Sequence, residues 1–438
     1  MEVTTIGFWG RIPLLRRVIA NAGTLGAGAA IAQAITMLAS PILSRVYGPG
    51  QIGVFGAYLG VVALFTASPC FGFEQAVLLE RDEKELEGAI GLCILANATC
   101  LAIFAIVLVL FHASIERFLH RDAMELLIPL GPIGIVIAGF LAINQFLSLR
   151  GQAVRALARY QIVRAGLSSA LQVALFRFLA VGLASGQLVG QAIGLIDLSR
   201  RNIAVLAAAI CRVGDIAALK RLALTYRSFP LYGAPQSILS SVTAGMPTVL
   251  LSAFYGQVEA GYFWLAYRVF GLPNQIVNES LRGAFYHSFA AAHREGRNLR
   301  PELVSGSILC SAACALFALP ILLAGPPLFA LVFGMAWRTA GVFARIAAFA
   351  WLIQAASIPS TVVITVLQRQ RFYLTLEVIA APIRLGAFPL AAHYWHSAEM
   401  GVLLYSAASA IHALVVIAYA LSLTLRVPQS DGGAQTTI

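Results

Sequence analysis

The chain consists of long apolar stretches separated by short polar segments. A helix that spans a bilayer needs about 20 mostly apolar residues, and only helices satisfy their own backbone hydrogen bonds in lipid. Eleven stretches fit this pattern, at 18–44, 46–73, 88–111, 126–149, 165–183, 228–255, 260–281, 303–324, 339–367, 372–394 and 400–425. A further stretch follows a predicted tight turn at 184–186; Asp197, Arg200 and Arg201 cut it short before 202–209 complete it. The pattern predicts an all-α integral membrane protein with about twelve transmembrane helices.

Composition supports a membrane location. Hydrophobic residues make up 59% of the 438 residues and charged residues only 11%. A soluble domain carries about 25% charged residues, because its surface must be solvated. The chain is therefore not expected to be a cytoplasmic enzyme or a nucleic-acid-binding protein, and no basic run is interleaved with base-stacking aromatic residues.

The net charge of +11 reflects the orientation of the chain in the membrane rather than binding to an acidic partner. Arginine and lysine concentrate in the cytoplasmic loops of multi-pass proteins. With the N-terminus inside, the segments predicted to lie outside contain only Arg45, Arg117, Arg121 and Arg338. We therefore expect both termini in the cytoplasm. The six cysteines lie mostly in apolar runs, which disfavours disulfides, and no metal site or cofactor is expected.

A short pattern repeats within the chain. Ser44-Arg45-Val46-Tyr47-Gly48, followed by Gly53 and Phe55, matches Ser252-Ala253-Phe254-Tyr255-Gly256, followed by Gly261 and Phe263, 208 residues later. Both copies fall at predicted outside turns. Two halves of six helices with the same direction form a parallel repeat about a pseudo-two-fold axis along the membrane normal. The predicted divisions are an N-terminal lobe (1–210), an interfacial linker (211–227) and a C-terminal lobe (228–438).

Three segments carry a family resemblance that extends over essentially the whole chain. They are Tyr226-Arg227-Ser228-Phe229-Pro230-Leu231-Tyr232-Gly233-Ala234-Pro235, Gly261-Tyr262-Phe263-Trp264-Leu265-Ala266-Tyr267-Arg268-Val269-Phe270 and Leu38-Ala39-Ser40-Pro41-Ile42-Leu43-Ser44-Arg45-Val46-Tyr47. The chain resembles the bacterial flippases of O-antigen and capsular repeat units, within the multidrug/oligosaccharidyl-lipid/polysaccharide exporter superfamily. The resemblance implies two lobes around a central cavity and alternating access. It also implies a lipid-linked oligosaccharide on undecaprenyl pyrophosphate, with a polysaccharide polymerase and a chain-length regulator as further partners in the inner membrane.

Charged residues inside the spans are candidates for substrate binding, because a buried charge is costly in a bilayer. Arg268 lies about 12 Å from the outer end of the eighth span, at 1.5 Å per residue, and a guanidinium suits bidentate binding of a pyrophosphate. Arg177, Arg345 and Arg384 are further headgroup candidates, with snorkelling or ion pairing as the alternative. The related lipid II flippases use arginines in the first, second and eighth helices, and only the eighth has a counterpart here.

Other polar residues extend this set. Arg268 forms a stripe on the eighth span with Gly271, Gln275, Glu279 and Arg282. Glu74, Glu279 and Glu377 are candidates for coupling or gating, although Glu377 is also placed to pair with Arg384, two turns away. Candidates for sugar contact are Gln275, Asn274, Asn278 and Asn144, and interhelical hydrogen bonds explain the asparagines equally well.

Two other functions stay open at this point. A multidrug extruder of the same superfamily is expected to keep an acidic residue in the first helix, and 18–44 has none. A membrane polymerase or ligase of the same pathway needs substantial external loops, whereas the outside loops are short. The absence of a G-x-x-x-x-G-K-[ST] motif indicates that this chain does not hydrolyse ATP.

Overall fold

The computed structural model describes the backbone of residues 8–80 and 82–425. Side chains are described from Gly23 onward, except at 81, 118, 120, 124, 272–280, 284 and after 424. All regular structure in this part of the chain is helical. The α-helices are α1 (Phe8–Val46), α2 (Pro49–Thr66), α3 (Ala76–Leu79), α4 (Glu83–Leu110), α5 (His112–Arg150), α6 (Val154–Ala174), α7 (Leu179–Ser199), α8 (Ile203–Arg212), α9 (Ile216–Thr225), α10 (Ala234–Tyr255), α11 (Gln257–Arg294), α12 (Arg300–Phe333), α13 (Arg338–Ala356), α14 (Ile358–Val366), α15 (Gln370–Tyr394) and α16 (Ala398–Leu425).

Ten segments of the described chain are helical, long and apolar enough to cross a membrane. Each coincides with one of the predicted spans. The two predicted spans without a counterpart among them correspond to α6, with 21 residues, and α11, with 38. Both helices are long enough to span, but arginines and other polar side chains lower their apolar content. The all-α membrane fold is confirmed, and the count of twelve spans stays a prediction.

The boundary between the fifth and sixth predicted spans was placed wrongly. The chain turns at 175–178, so 184–186 lies inside α7 rather than at a turn. Glycines recur every four residues from Gly182 to Gly194, and this spacing marks a helix-packing face. A Cβ at Gly186 would lie 2.7 Å from the Gln172 backbone nitrogen, and one at Gly190 would lie 2.5 Å from the Ser168 nitrogen. The glycines thus allow α7 to contact the α6 backbone.

The ninth span also extends beyond its predicted end at Ala324. α12 continues to Phe333 through a kink, where Ala324 adopts φ −135° and ψ 31°. The kink coincides with Gly325-Pro326-Pro327, and prolines remove backbone donors inside a helix. Gly325 and Gly341 allow α12 and α13 to approach closely, since a Cβ at Gly325 would lie 2.6 Å from the Gly341 carbonyl oxygen.

The chain forms two compact units, one ending at Ala253 and the other beginning at Phe254. The first contains a buried cluster around Ile90, Cys93 and Leu222, and the second a buried cluster around Phe289, Val363 and Val416. The unit boundary lies inside α10, most of which packs on the first unit. The predicted division at 211–227 concerns the duplication of the chain and stays a prediction.

Candidate functional site

Arg268 lies on α11 with its side chain withdrawn from solvent. Its guanidinium carbon is 4.6 Å from the centre of the Trp264 ring, one helical turn earlier. The Nε atom is buried and has no hydrogen-bond partner in the part of the chain that the structure describes. A cation over an aromatic face is partly stabilised, but its N–H groups remain available for acceptors. Arg268 can therefore bind an anion through the side of the guanidinium not covered by Trp264.

The rest of the predicted polar stripe is described only in part. The backbone of 272–280 is helical within α11. Gln275, Asn274, Asn278 and Glu279 lie in this segment, outside the residues whose side chains are described. Their assignments to sugar contact and coupling stay predictions. Arg282, at the end of the stripe, has an exposed side chain.

Arg384 is an ion-pair partner and not an unpaired headgroup candidate. Its Nη2 group donates to Oε1 of Glu377, seven residues earlier on α15. The second carboxylate oxygen of Glu377 lies 3.2 Å from Nε2 of His412, on the neighbouring α16. All three side chains are largely buried, with exposures of 13%, 17% and 11% for Arg384, Glu377 and His412. The carboxylate balances the guanidinium, which was the alternative considered for this residue.

Two other arginines differ from their predicted settings. Arg177 lies in the exposed turn between α6 and α7, at the start of the candidate span Phe176–Ser199 rather than in the interior of a span. The flanking apolar residues, Phe176 and Phe178, are exposed in the same turn and gave the segment the character of a span. Arg345 does lie within α13, but its side chain is exposed, while its Cβ faces Gly325. Neither residue is brought together with Arg268 by a described contact.

Glu74 lies in the irregular segment that follows α2. Its Oε2 atom is buried without a hydrogen-bond partner among the described residues, and burial raises the pKa of the Glu74 carboxyl. Phe71, at φ 52°, and Gly72, at φ 84°, turn the chain just before it. The alternative for Glu74 is an interfacial acid paired with Arg81 or a neighbour. Arg81 lies outside the described residues, so Glu74 stays a candidate for coupling or gating.

Asn144 has its amide occupied by protein groups. It donates to the Phe140 carbonyl oxygen at 2.9 Å and accepts from Nδ2 of Asn202 at 3.0 Å. The second contact joins α5 to the segment after α7. This interhelical bond was the alternative to sugar contact, and the structure supports that alternative.

An ion pair and a hydrogen bond join the acidic segment at the start of α4 to the predicted linker. Arg212 on α8 donates to Glu87 at 2.7 Å, and the Tyr226 hydroxyl donates to Glu80 at 2.8 Å. Burial and the Glu80 carboxylate raise the pKa of Tyr226 to about 12. These contacts place the linker against one end of the first unit, the end predicted to be cytoplasmic.

His412, the third member of the buried cluster with Arg384 and Glu377, was not predicted from the sequence. It is an ionisable residue inside the last predicted span, and that alone marks it for attention. The structure adds its partner, Glu377. No group of three or more His, Cys, Asp or Glu suited to a metal occurs in the described ranges.

The sequence of this chain is similar to those of known proteins. Residues 42–342 match the family described as polysaccharide biosynthesis protein. The succinoglycan biosynthesis transport protein ExoT of Rhizobium meliloti (strain 1021) is 25% identical over 333 residues, which cover 74% of this chain. The match covers 62% of ExoT, so the chain spans less than two thirds of that relative.

Solved structures show the same fold. A multidrug resistance MATE family transporter of the MOP superfamily, in an inward-facing conformation, aligns with a TM-score of 0.70 at 15% identity. That alignment covers 91% of this chain and 96% of the transporter. A MOP superfamily transporter from Pyrococcus furiosus aligns at 0.54 with 13% identity, covering 93% and 96%. Because the family match covers more than half of the chain, the protein belongs to the polysaccharide biosynthesis protein family.

Proposed function

We propose that the protein is a flippase that moves an oligosaccharide linked to undecaprenyl pyrophosphate across the bacterial inner membrane, from the cytoplasmic to the periplasmic leaflet. The family and the MOP fold support transport in polysaccharide biosynthesis. The observation that carries the choice of substrate is the partly buried side chain of Arg268, whose Nε atom is buried and which has no carboxylate partner among the described residues.

An arginine inside a predicted span that has no carboxylate partner among the described residues favours an anionic substrate. Placing a charge in a bilayer costs about 2.5–3.5 kcal/mol on insertion scales, so an arginine without an acid needs another source of stabilisation. Trp264 supplies part of it, since a desolvated cation–π contact contributes roughly 2 kcal/mol. A pyrophosphate would supply the rest through charge-assisted hydrogen bonds, and its oxygens match the fork of a guanidinium.

The same observation favours this function over multidrug export, although Glu74 also has a buried carboxylate oxygen without a hydrogen-bond partner among the described residues. A cationic drug is attracted by an unpaired carboxylate, and repelled by an unpaired guanidinium. Glu377, the acidic residue described inside α15, already faces Arg384 and His412. The first span contains no acidic residue. The likeness to multidrug transporters concerns the fold alone.

We propose that the membrane potential drives transport and that exchange of a proton or cation adds to this driving force. Moving negative charge outward across an inside-negative membrane is favoured by roughly 2.3 kcal/mol per charge per 100 mV. Glu377 with His412, and separately Glu74, are the candidates for a coupled proton or cation. In this account both termini are cytoplasmic, and the surrounding lipid, a polysaccharide polymerase and a chain-length regulator are the partners.

A gene deletion tests the proposal in the cell. We expect lipid-linked repeat units to accumulate on the cytoplasmic leaflet and the surface polysaccharide to disappear. The wild-type gene restores both, whereas the same gene with Arg268→Ala does not. Normal surface glycan in a deletion strain without a second flippase gene contradicts the proposal. Loss of resistance to cationic dyes with unchanged glycan identifies a multidrug extruder instead.

A further inference from the structure

The first unit contains a cavity of about 340 Å³ between α2, α5 and α7. Its polar lining consists of Tyr58 and Thr66 from α2 and Gln187 and Gln191 from α7. The rest of the lining is apolar and comes from all three helices: Leu59, Val62, Ala63, Gly134, Ala138, Leu141, Ala184 and Leu188. The volume is at the lower end of the range of about 300–1,000 Å³ found for small-molecule sites. Small side chains and Gly134 create the space, because no larger group from α5 fills it.

The polar groups of this cavity retain hydrogen-bonding capacity that the described residues do not use. Gln187 and Gln191 lie one turn apart on α7 and are partly buried, and neither side-chain amide makes a hydrogen bond within the described ranges. The Tyr58 hydroxyl donates to the Leu130 carbonyl oxygen at 3.2 Å, and Thr66 donates to the Val62 carbonyl oxygen at 3.1 Å. Both hydroxyl oxygens still have lone pairs to accept a hydrogen bond.

The depth of the cavity within the predicted spans restricts which ligands its amides can bind. Its α5 and α7 residues lie near the middle of segments that cross the membrane, Arg121–Arg150 and Phe176–Ser199. An amide without a hydrogen bond at that depth carries a desolvation penalty, so a hydrocarbon chain is a poor occupant. None of the lining residues is charged, which also disfavours a phosphate or a cationic drug. Amides and hydroxyl oxygens without charges are suited to a neutral, hydroxyl-rich ligand.

We propose that the cavity between α2, α5 and α7 is a saccharide subsite, in which Gln187 and Gln191 bind hydroxyl groups of one or two uncharged sugar residues of the transported lipid-linked oligosaccharide. The inference rests on the proposed function and deepens it, because it assigns the sugar to groups other than Arg268. Of the four residues first considered for sugar contact, Asn144 does not line this cavity, and Asn274, Gln275 and Asn278 lie outside the residues whose side chains are described.

The test compares two probes on purified protein in lipid nanodiscs. One probe is a short-chain prenyl pyrophosphate carrying one hexose, and the other is the same prenyl pyrophosphate without the sugar. The variants are the double substitution Gln187→Leu with Gln191→Leu, which removes the amides, and Ala138→Leu, which fills the cavity and keeps them. Ser185→Ala is the matched control on α7, because the Ser185 hydroxyl donates within its own helix to Val181 and lines no part of the cavity.

We expect wild-type protein and Ser185→Ala to bind the hexose-bearing probe about tenfold more tightly than the sugar-free probe. In the double variant and in Ala138→Leu that preference falls to near unity, while affinity for the sugar-free probe stays within about twofold. A preference retained by both variants overturns the subsite. Equal binding of the two probes by wild-type protein also overturns it and leaves the proposed function standing. If wild-type protein binds neither probe, the proposed function fails and the subsite fails with it.

Discussion

Tyr47 and Tyr255, 208 residues apart in the chain, make matching contacts in the two units. The Tyr47 hydroxyl donates to the Gln172 carbonyl oxygen on α6 at 2.6 Å, and the Tyr255 hydroxyl donates to the Phe388 carbonyl oxygen on α15 at 2.9 Å. Each hydroxyl also lies beside a glycine of the next helix. A Cβ at Gly182 would be 3.1 Å from Tyr47 Oη, and one at Gly401 would be 3.2 Å from Tyr255 Oη.

These contacts give the repeated sequence pattern a structural meaning. Each tyrosine precedes the glycine before a new helix, α2 or α11, and ties that turn to a later helix of its own unit. The shared geometry supports the proposal that the two halves arose by duplication. In each unit, the repeated pattern corresponds to one tyrosine hydrogen bond and one close helix approach.

The glycine of this arrangement is predicted to be sensitive to substitution in the first unit. A Cβ at Gly182 would lie 2.1 Å from the Leu175 carbonyl oxygen, so Gly182→Ala forces α6 and α7 apart. We expect a loss of about 1–3 kcal/mol, read as a lower unfolding temperature in detergent. Gly166→Ala on α6 is the control, because nothing lies within 4 Å of its added methyl group. Equal stability of the two variants contradicts the packing described for α6 and α7.

Arg268 is predicted to bind the pyrophosphate through two parallel N–H donors of its guanidinium. Arg268→Ala should lower transport by at least about tenfold while the protein remains inserted and abundant, because the lost charge-assisted hydrogen bonds contribute 1.5–3 kcal/mol. Arg268→Lys should recover only part of the activity, since it keeps the charge and loses bidentate geometry. Arg371→Ala, at an exposed arginine at the start of α15 with no proposed role in binding, serves as the control. The readout is complementation of a deletion strain, with abundance measured by immunoblot. Full transport by Arg268→Ala would contradict the proposed role of Arg268 in binding the substrate headgroup.

The Glu377–Arg384 pair is predicted to be structural. Removing only the acid, as in Glu377→Leu, leaves the Arg384 guanidinium buried without its counter-ion and should cost about 3–5 kcal/mol. The double variant Glu377→Leu with Arg384→Leu removes both charges and should regain most of that stability. Thermal unfolding of the two variants decides the matter. A double variant as unstable as the single one contradicts the pairing, whereas a stable double variant without transport assigns the cluster a role in coupling.

Glu74 predicts a pH dependence of stability. Burial raises the pKa of its carboxyl in the folded protein, so the folded state holds the proton more tightly than the unfolded state. Its contribution to stability is present below the ordinary glutamate pKa of about 4.3 and is lost as pH rises through the raised value. Glu74→Gln should remove this loss, and its unfolding temperature should exceed that of wild type at neutral pH but not in acid. Parallel profiles for the two proteins would show that Glu74 is solvated.

Most of the fold could be predicted from the apolar stretches, because the bilayer dictates the length and composition of a spanning helix. The turn after α6 could not, since Gly182 to Gly194 carry both the flexibility expected of a turn and the small size that helix packing needs. Only the contact of α7 with the α6 backbone decides between them. Similarly, Glu377 and Arg384 were recognisable as a pair within one helix, whereas His412 joins them from α16, and no periodicity relates two separate helices.

The central claim is tested most directly in proteoliposomes that contain purified protein and a lipid-linked oligosaccharide in both leaflets. A membrane-impermeant glycosidase added outside digests the outer pool at once and the inner pool only as it is translocated. We predict complete digestion with wild-type protein, faster when a membrane potential drives negative charge toward the enzyme, and digestion stopping near half with Arg268→Ala or empty liposomes. Digestion that stops near half with wild-type protein would contradict the account.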